Sequence, residues 1–274
     1  MVIGELIEKS NNILKKAGIS GYNLDTHVLL CKYLSVDRLY LLLNKDVKIK
    51  NSGEFLDMVK RRAAYEPVAY ITGVKEFMSL EFNVTPNVLI PRIETEILVE
   101  NLIEYIGDSH LSMLEIGTGS GCISISCAHY CKNLSVEGID ISQKAIDVAK
   151  QNAKKNRVKG INFMQMDILH STPKRQYDIV VSNPPYIKSS DIGGLMKDVK
   201  DYEPIIALDG GVDGLLFYSV ISKKAPAKKM IAFEVGEGQG DAVCSFLLEN
   251  GYVNTKKVKD LSGIERVVLG FGKI

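Results

Sequence analysis

Four consecutive residues, Asn183-Pro184-Pro185-Tyr186, bring together an amide side chain, two prolines and an aromatic ring. Paired prolines fix the backbone and remove two N–H donors, so the main-chain carbonyls there face outward as unpaired acceptors. Asn183 adds a side-chain carbonyl acceptor. Acceptors that converge on one point suit a substrate –NH₂ group. The Tyr186 ring gives a flat group a surface to stack on, and its π face favours a cationic methyl donor. A bare tetrapeptide of this kind also reads as a proline turn. Its place after Tyr177-Asp178-Ile179-Val180-Val181-Ser182, a buried-strand pattern, argues for a site.

A second constellation lies upstream. Gly117-Thr118-Gly119-Ser120-Gly121 joins a strand pattern, Leu111 to Ile116, to a helical one. Glycines there let backbone N–H groups at a helix N-terminus approach a ligand. The dinucleotide fingerprint G-x-G-x-x-G is broken by Cys122, and no Gly-Lys-Ser/Thr of a phosphate-binding P-loop is present. Asp140 ends the next strand, placed to accept both hydroxyls of a ribose, and Asp167 ends the one after. Either aspartate alone reads equally well as a helix N-cap. With the glycine loop they favour an adenosine-bearing cofactor. His27, His110, His129 and His170 are scattered, and none is assigned a role.

These residues need a scaffold that gathers strand ends on one edge. Strand patterns at 111–116, 134–139, 161–166, 177–182, 229–235, 252–258 and 265–271 alternate with helical ones at about 121–131, 142–156, 214–226 and 239–250, the mark of an α/β parallel sheet. Residues 77–90 alternate and read as a short hairpin turning at Thr85-Pro86-Asn87. Before residue 75 the apolar spacing is helical: Ile3, Leu6, Ile7, Ile13 and Leu14, then Leu24, Val28 and Leu29, then Phe55, Val59 and Ala63. The expected organisation is a helical domain over 1–75, a β-hairpin linker over 76–90 and a catalytic domain over 91–274.

Composition narrows the class. The 274 residues carry 34 Lys+Arg and 33 Asp+Glu, which removes a whole-chain case for a polyanion-binding surface. Up to residue 75 there are 12 basic and 8 acidic residues, and after it 22 and 25, so a mildly basic helical part precedes a mildly acidic one. No apolar run approaches the roughly 18 residues of a membrane span. Met1 to Lys16 mixes charges into its apolar residues like an amphipathic helix, not a signal peptide. Five cysteines without a C-x-x-C pair read as buried hydrophobes in a reducing compartment, with no metal expected. A cytoplasmic protein is the expectation.

GTGSG, Asp140, Asp167 and NPPY together resemble the motif series of class I S-adenosylmethionine-dependent methyltransferases acting on planar –NH₂ groups. Further matches make the resemblance specific: Leu89-Ile90-Pro91-Arg92-Ile93-Glu94-Thr95-Glu96, Glu203-Pro204, Ala207-Leu208-Asp209-Gly210-Gly211-Val212-Asp213-Gly214-Leu215, and Arg266-Val267-Val268. The chain is similar over nearly its whole length to the protein-(glutamine-N5) methyltransferases of peptide-chain release factors, the PrmC/HemK family. It departs at Ile93, where the family usually has proline, and at Glu115, where aspartate is commoner.

The resemblance implies an α/β, Rossmann-like fold with a seven-stranded mostly parallel sheet and a small N-terminal helical bundle that docks substrate. It implies S-adenosyl-L-methionine as cofactor, with Gly117, Thr118, Gly119, Ser120 and Gly121 beside its methionine part, Asp140 on the ribose, and Asp167 and Ile168 at the adenine. Asn183 would border the cofactor and, with the Pro184 carbonyl, bind the substrate amide nitrogen, while Pro185 and Tyr186 pack against it. The implied partner is the GGQ loop of class I release factors, with no membrane and no direct nucleic-acid substrate. Rivals are methylation of a ribosomal-protein glutamine or a nucleic-acid exocyclic amine, a non-catalytic cofactor-binding module, and a nicotinamide dehydrogenase.

Overall fold

Ile3, Leu6, Ser10 and Leu14 recur every three to four residues, so they share one helical face, and they are the buried residues of α1 (Ile3–Lys16). In the computed structural model, which describes residues 1–273, α1 opens the first of two units. This unit comprises Met1–Val74 together with Met196–Tyr202. Four more helices follow: α2 (Tyr22–Leu34), α3 (Arg38–Leu43), α4 (Ser52–Ala63) and α5 (Val68–Thr72). Asp37 caps α3 by accepting from the Tyr40 N–H at 2.7 Å, which satisfies a donor that a helix start leaves unpaired. Leu6, Leu14, Leu29, Leu30, Leu41, Phe55 and Val59 close the core of this unit.

The second unit begins with the hairpin β1 (Val74–Phe77) and β2 (Leu80–Asn83). Its turn is Met78-Ser79, not the expected Thr85-Pro86-Asn87. Both turn residues have positive φ, 50° and 56°, the conformation of tight hairpin loops that Asn or Gly normally supply. Tertiary bonds hold it without them: the Met78 N–H donates to the Glu96 carboxylate at 2.7 Å, and the Tyr130 hydroxyl donates to the Met78 carbonyl at 2.8 Å. Thr85-Pro86-Asn87 forms a separate turn, closed from Val88 N–H to Thr85 carbonyl at 3.1 Å.

Next comes α6 (Glu94–Ile106), which the strand-and-helix reading passed over. Its buried residues Thr95, Leu98, Val99, Leu102 and Ile106 keep helical spacing. Leu102 is fully buried. Leu102→Ala is expected to cost about 2–5 kcal/mol of stability, checked by urea denaturation of the full chain.

The chain then builds β3 (Leu111–Ile116), α7 (Cys122–Tyr130), β4 (Leu134–Asp140), α8 (Gln143–Lys155), β5 (Asn162–Gln165) and β6 (Tyr177–Ser182). After β6 it returns to the helical unit with residues 196–202, which include the single turn α9 (Lys197–Lys200). There the Arg62 guanidinium pairs with Asp25 at 2.7 Å and Asp198 at 3.8 Å, and the Tyr202 hydroxyl donates to the Ala64 carbonyl at 2.7 Å. Back in the second unit follow α10 (Leu216–Lys224), β7 (Ala227–Glu234), α11 (Gly240–Glu249), β8 (Tyr252–Lys259) and β9 (Glu265–Lys273).

The seven-stranded sheet runs β5-β4-β3-β6-β7-β9-β8. All neighbours are parallel except β9, which lies antiparallel to both β7 and β8. Alternate strand residues feed two cores. Met113, Val136, Ile179 and Val181 join α6, α7 and α8 residues, while Leu114, Ile139, Val180 and Phe233 join Tyr218 and Ile221 of α10 and Val243 and Leu247 of α11. Strand order reverses between β3 and β6, the switch point where open α/β sheets bind ligands beyond their C-terminal strand ends. Among the described residues no helix is long and apolar enough to cross a membrane.

Candidate active site

A cavity of about 210 Å³ opens at that switch point. Its wall takes Gly117 to Ser120 from the loop after β3, Asp140 from β4, Asp167 and Ile168 from beyond β5, and Asn183, Pro184 and Pro185 from beyond β6. The structure thus brings together on one wall most of the residues singled out from the sequence. Gly121 and Tyr186 are set back from it. A Cβ at Gly121 would come within 2.9 Å of Ile125 Cδ1 and 3.1 Å of Ala149 Cβ, so that glycine packs α7 against α8. The Tyr186 ring packs with the second core, where burial pushes its hydroxyl up to about 12.

The glycine loop is held from behind. Glu115, buried at the end of β3, accepts from Thr118 Oγ1 at 2.6 Å, from the Ser124 N–H at 3.2 Å and from Ser124 Oγ. Burial raises its carboxyl to about 7 against these bonds, with nearby Asp140 adding to the rise. Asp140 accepts from the N–H groups of Gly119 and Ser142, both at 2.8 Å, and burial lifts its carboxyl above the usual range. A carboxylate has about four lone-pair sites, so capacity remains for a ligand diol. A Cβ at Gly117 or Gly119 would meet nothing within 4 Å, which leaves open backbone along the cavity. Asp167 accepts from the Leu169 N–H at 2.8 Å and pairs with His170 at 2.6 Å, and the His170 bond holds its carboxyl below the usual range.

The Asn-Pro-Pro-Tyr loop is braced on both sides. Ile187 exchanges backbone bonds with Leu208 and Gly210, at 3.0 and 2.8 Å. Gln239 Nε2 donates to the Tyr186 carbonyl at 3.0 Å. Gly214, at φ 77°, lies so close that a Cβ would sit 2.4 Å from that carbonyl. The Ala207–Leu215 motif therefore forms the seat of this loop. Among the described residues, no donor is bonded to the Pro184 carbonyl or to Asn183 Oδ1. Asn183 Nδ2 donates to Thr95 Oγ1 at 3.2 Å, and Thr95 also lines the cavity.

Three contributors have no role in the sequence reading: Thr95 and Glu203 stand there only as motif residues, and Glu234 is absent from it. Thr95 Oγ1 donates to Glu234 at 2.6 Å, and both residues are buried. Burial raises the Glu234 carboxyl to about 7, opposed by its bond from Thr95. Glu203, also buried, pairs with Arg92 at 2.5 Å and accepts from the Ile90 N–H at 3.4 Å, tying the segment before α6 to Pro204 on the cavity wall. A buried Glu at a strand end was the one available signal for Glu234; nothing in sequence spacing links residues 92 and 203.

Two buried carboxyls near 7 give a signed pH prediction. Both fold with pKa values raised above the ordinary 4.5, so the folded state holds protons that the unfolded chain releases. Their stabilising contribution is complete below about pH 4.5 and is lost as pH rises through about 7. The aspartates held low, among them Asp167 and Asp178, change stability only at more acidic pH. Stability is expected to fall by about 2 kcal/mol per group, roughly 4 kcal/mol in all, from pH 5.5 to 8, and Glu115→Gln to remove about half of that slope, read by denaturant titration at each pH.

The sheet order and the cavity at the β3/β6 switch point define a class I S-adenosylmethionine-dependent methyltransferase fold. The family profile described as Methyltransferase small domain matches residues 93–197, and that described as PrmC N-terminal domain matches residues 5–73. Over 98% of its length the chain is 40% identical to a release factor glutamine methyltransferase of Clostridium acetobutylicum, covering 98% of that protein. It is 35% identical to one of Geobacter sulfurreducens, over 98% and 96% of the two chains. The solved structure of a methyltransferase from Pyrococcus furiosus shares the fold at TM-score 0.51 and 15% identity, over 81% of this chain and all of that one. The chain belongs to the release factor glutamine methyltransferase family.

Proposed function

We propose that the protein transfers a methyl group from S-adenosyl-L-methionine to the side-chain amide N5 of the glutamine in the GGQ loop of class I peptide-chain release factors. The observation that carries the reading is a pair of acceptors, Asn183 Oδ1 and the Pro184 carbonyl, that belong to cavity-lining residues at the switch point and have no bonded donor among the described residues. Family membership supplies the substrate class.

The residues present fit the cofactor: the open glycine backbone at 117 and 119 would admit its methionine part, Asp140 would accept from the ribose hydroxyls, and Asp167 with Ile168 would border the adenine. When bound, the cofactor supplies an electrophilic methyl on a sulfonium sulfur. An amide nitrogen is a poor nucleophile because its lone pair is delocalised into the carbonyl. Asn183 Oδ1 and the Pro184 carbonyl, accepting from its two N–H groups out of the amide plane, draw the nitrogen toward tetrahedral geometry and free that pair. The same acceptors stabilise the positive charge that develops on nitrogen, so positioning and electrostatics carry the rate. The N-protonated amide is acidic enough to lose its proton without a dedicated base. Pro185 flanks the substrate, and Tyr186, from behind, fixes the backbone of the loop.

Residues 1–75 serve as the docking domain for the release factor, residues 76–90 as the linker, and 91–274 as the catalytic domain. The setting is the cytoplasm, in keeping with five free thiols. The deciding experiment gives methyl-labelled cofactor with an unmodified release factor, the same factor with its GGQ glutamine replaced, or bulk RNA and DNA. Label is expected only in the unmodified factor. Label in nucleic acid, or persisting in the altered factor, would refute the reading.

A further inference from the structure

We propose that Thr95 and Glu234 set the direction of the Asn183 side-chain amide, turning its oxygen toward the substrate nitrogen, and so act as positioning residues for methyl transfer. This deepens the reading above and rests on it. The two ends of an asparagine amide are nearly equal in size, yet only the oxygen can accept from a substrate N–H. Something must forbid the reversed rotamer, in which Nδ2 would confront the substrate donor.

The chain behind Asn183 does so. Its Nδ2 donates to Thr95 Oγ1, and Thr95 Oγ1 donates in turn to Glu234. Glu234 takes a further hydrogen bond from Asn183 itself. Thr95 is 2% and Glu234 3% exposed, so bulk solvent does not compete for these groups. The polarity of the chain is therefore decided at its closed end. An ionised carboxylate only accepts, so the Thr95 hydroxyl must aim its hydrogen at Glu234 and its lone pairs at Asn183. Asn183 must then present its –NH₂ rearward and its oxygen to the cavity. A protonated Glu234 can donate to Thr95, which frees the Thr95 hydrogen to face Asn183 and allows the amide to reverse.

Glu94 on α6, Arg266 on β9, Tyr186 in the loop, Tyr218 on α10 and Cys122 on α7 face this carboxyl. Burial is the largest influence, Glu94 adds to it, and Arg266 with the two donors opposes it, which leaves the group at about 7. The switch between the two polarities falls within the working range.

The test uses the full-length protein, unmodified release factor and S-adenosylmethionine, with kcat, KM for the factor and cofactor Kd measured from pH 6 to 8. Thr95→Val removes the relay at constant shape. It is expected to lower kcat roughly ten- to a hundredfold while KM and Kd stay within about threefold. Thr95→Ser, which restores the hydroxyl, is expected to recover to within about threefold of the parent. The parent kcat should rise through about pH 7, and Glu234→Gln, able both to donate and to accept, should be slower and lack that rise. Glu115 titrates in the same range, and the Glu234→Gln comparison separates the two. The Asn183 side-chain ¹⁵N signal should shift over the same pH range in the parent and not in Thr95→Val.

Turnover of Thr95→Val within twofold of the parent overturns the proposal, as does Thr95→Ser equally slow as Thr95→Val, or a surviving pH rise in Glu234→Gln. If Thr95→Val proves unfolded on melting, Thr95→Ser and Glu234→Gln decide. If the parent leaves the release factor unlabelled, the substrate reading fails instead, and the Asn183 signal still judges the relay.

Discussion

Asn183→Ala is expected to reduce turnover roughly 10²–10³-fold, the loss typical when one preorganised group facing developing charge is removed. Cofactor affinity should change by no more than a few-fold. Among the described residues no donor is bonded to Asn183 Oδ1, so under the proposed mechanism its accepting capacity is free for the substrate nitrogen. Alanine deletes that acceptor and leaves the Pro184 carbonyl alone, which can polarise one N–H but cannot hold the nitrogen between two acceptors. The loop should survive, because its bracing runs through the backbone of Tyr186 and Ile187. Single-turnover rates with isothermal titration of cofactor separate the two quantities, and equal losses in both would sink the acceptor mechanism.

Asp140→Ala is expected to do the opposite, weakening cofactor binding by roughly one to two orders of magnitude and leaving the single-turnover rate at saturating cofactor within a few-fold. Hydrogen bonds to a charged group contribute about 1.5–3 kcal/mol each, and tenfold in affinity is about 1.4 kcal/mol. Asp140 also holds the Gly119 and Ser142 N–H groups, so alanine loosens the glycine loop as well. Asp140→Asn should be intermediate, since one amide oxygen still accepts. An asparagine variant as weak as the alanine one would show that charge, not loop bracing, dominates. Affinity unchanged in both would remove Asp140 from the cofactor site.

The strand ends were readable because parallel strands buried on both faces appear as apolar runs: Ile179, Val180 and Val181 are all fully buried. The cavity lining was readable wherever it sat in one stretch of chain, as in Gly117–Ser120 and Asn183–Pro185. Three things were hidden. Helix α6 opens at Ile93 without a side-chain cap, so the local signal that marks a helix start is missing. The Met78-Ser79 turn is imposed by Glu96 and Tyr130, residues 18 and 52 positions away. The Thr95–Glu234 pair spans 139 positions and forms only when α6 crosses the end of β7. Tyr186 is expected from its contiguous motif to pack against the substrate amide, and its partly buried ring packs against the second core.

The excursion of residues 196–202 bears on how the protein is made. The helical unit is interleaved with the rest: its last seven residues are synthesised only after β6. On the ribosome, residues 1–74 emerge early but lack Asp198 beside Arg62 and the Tyr202 hydroxyl on Ala64 until about three-quarters of the polypeptide exists. An expression fragment ending at residue 74 is therefore an unfinished body, and one starting at residue 75 carries a segment stripped of its partners. Two-piece complementation should succeed only with a break that leaves 1–202 intact.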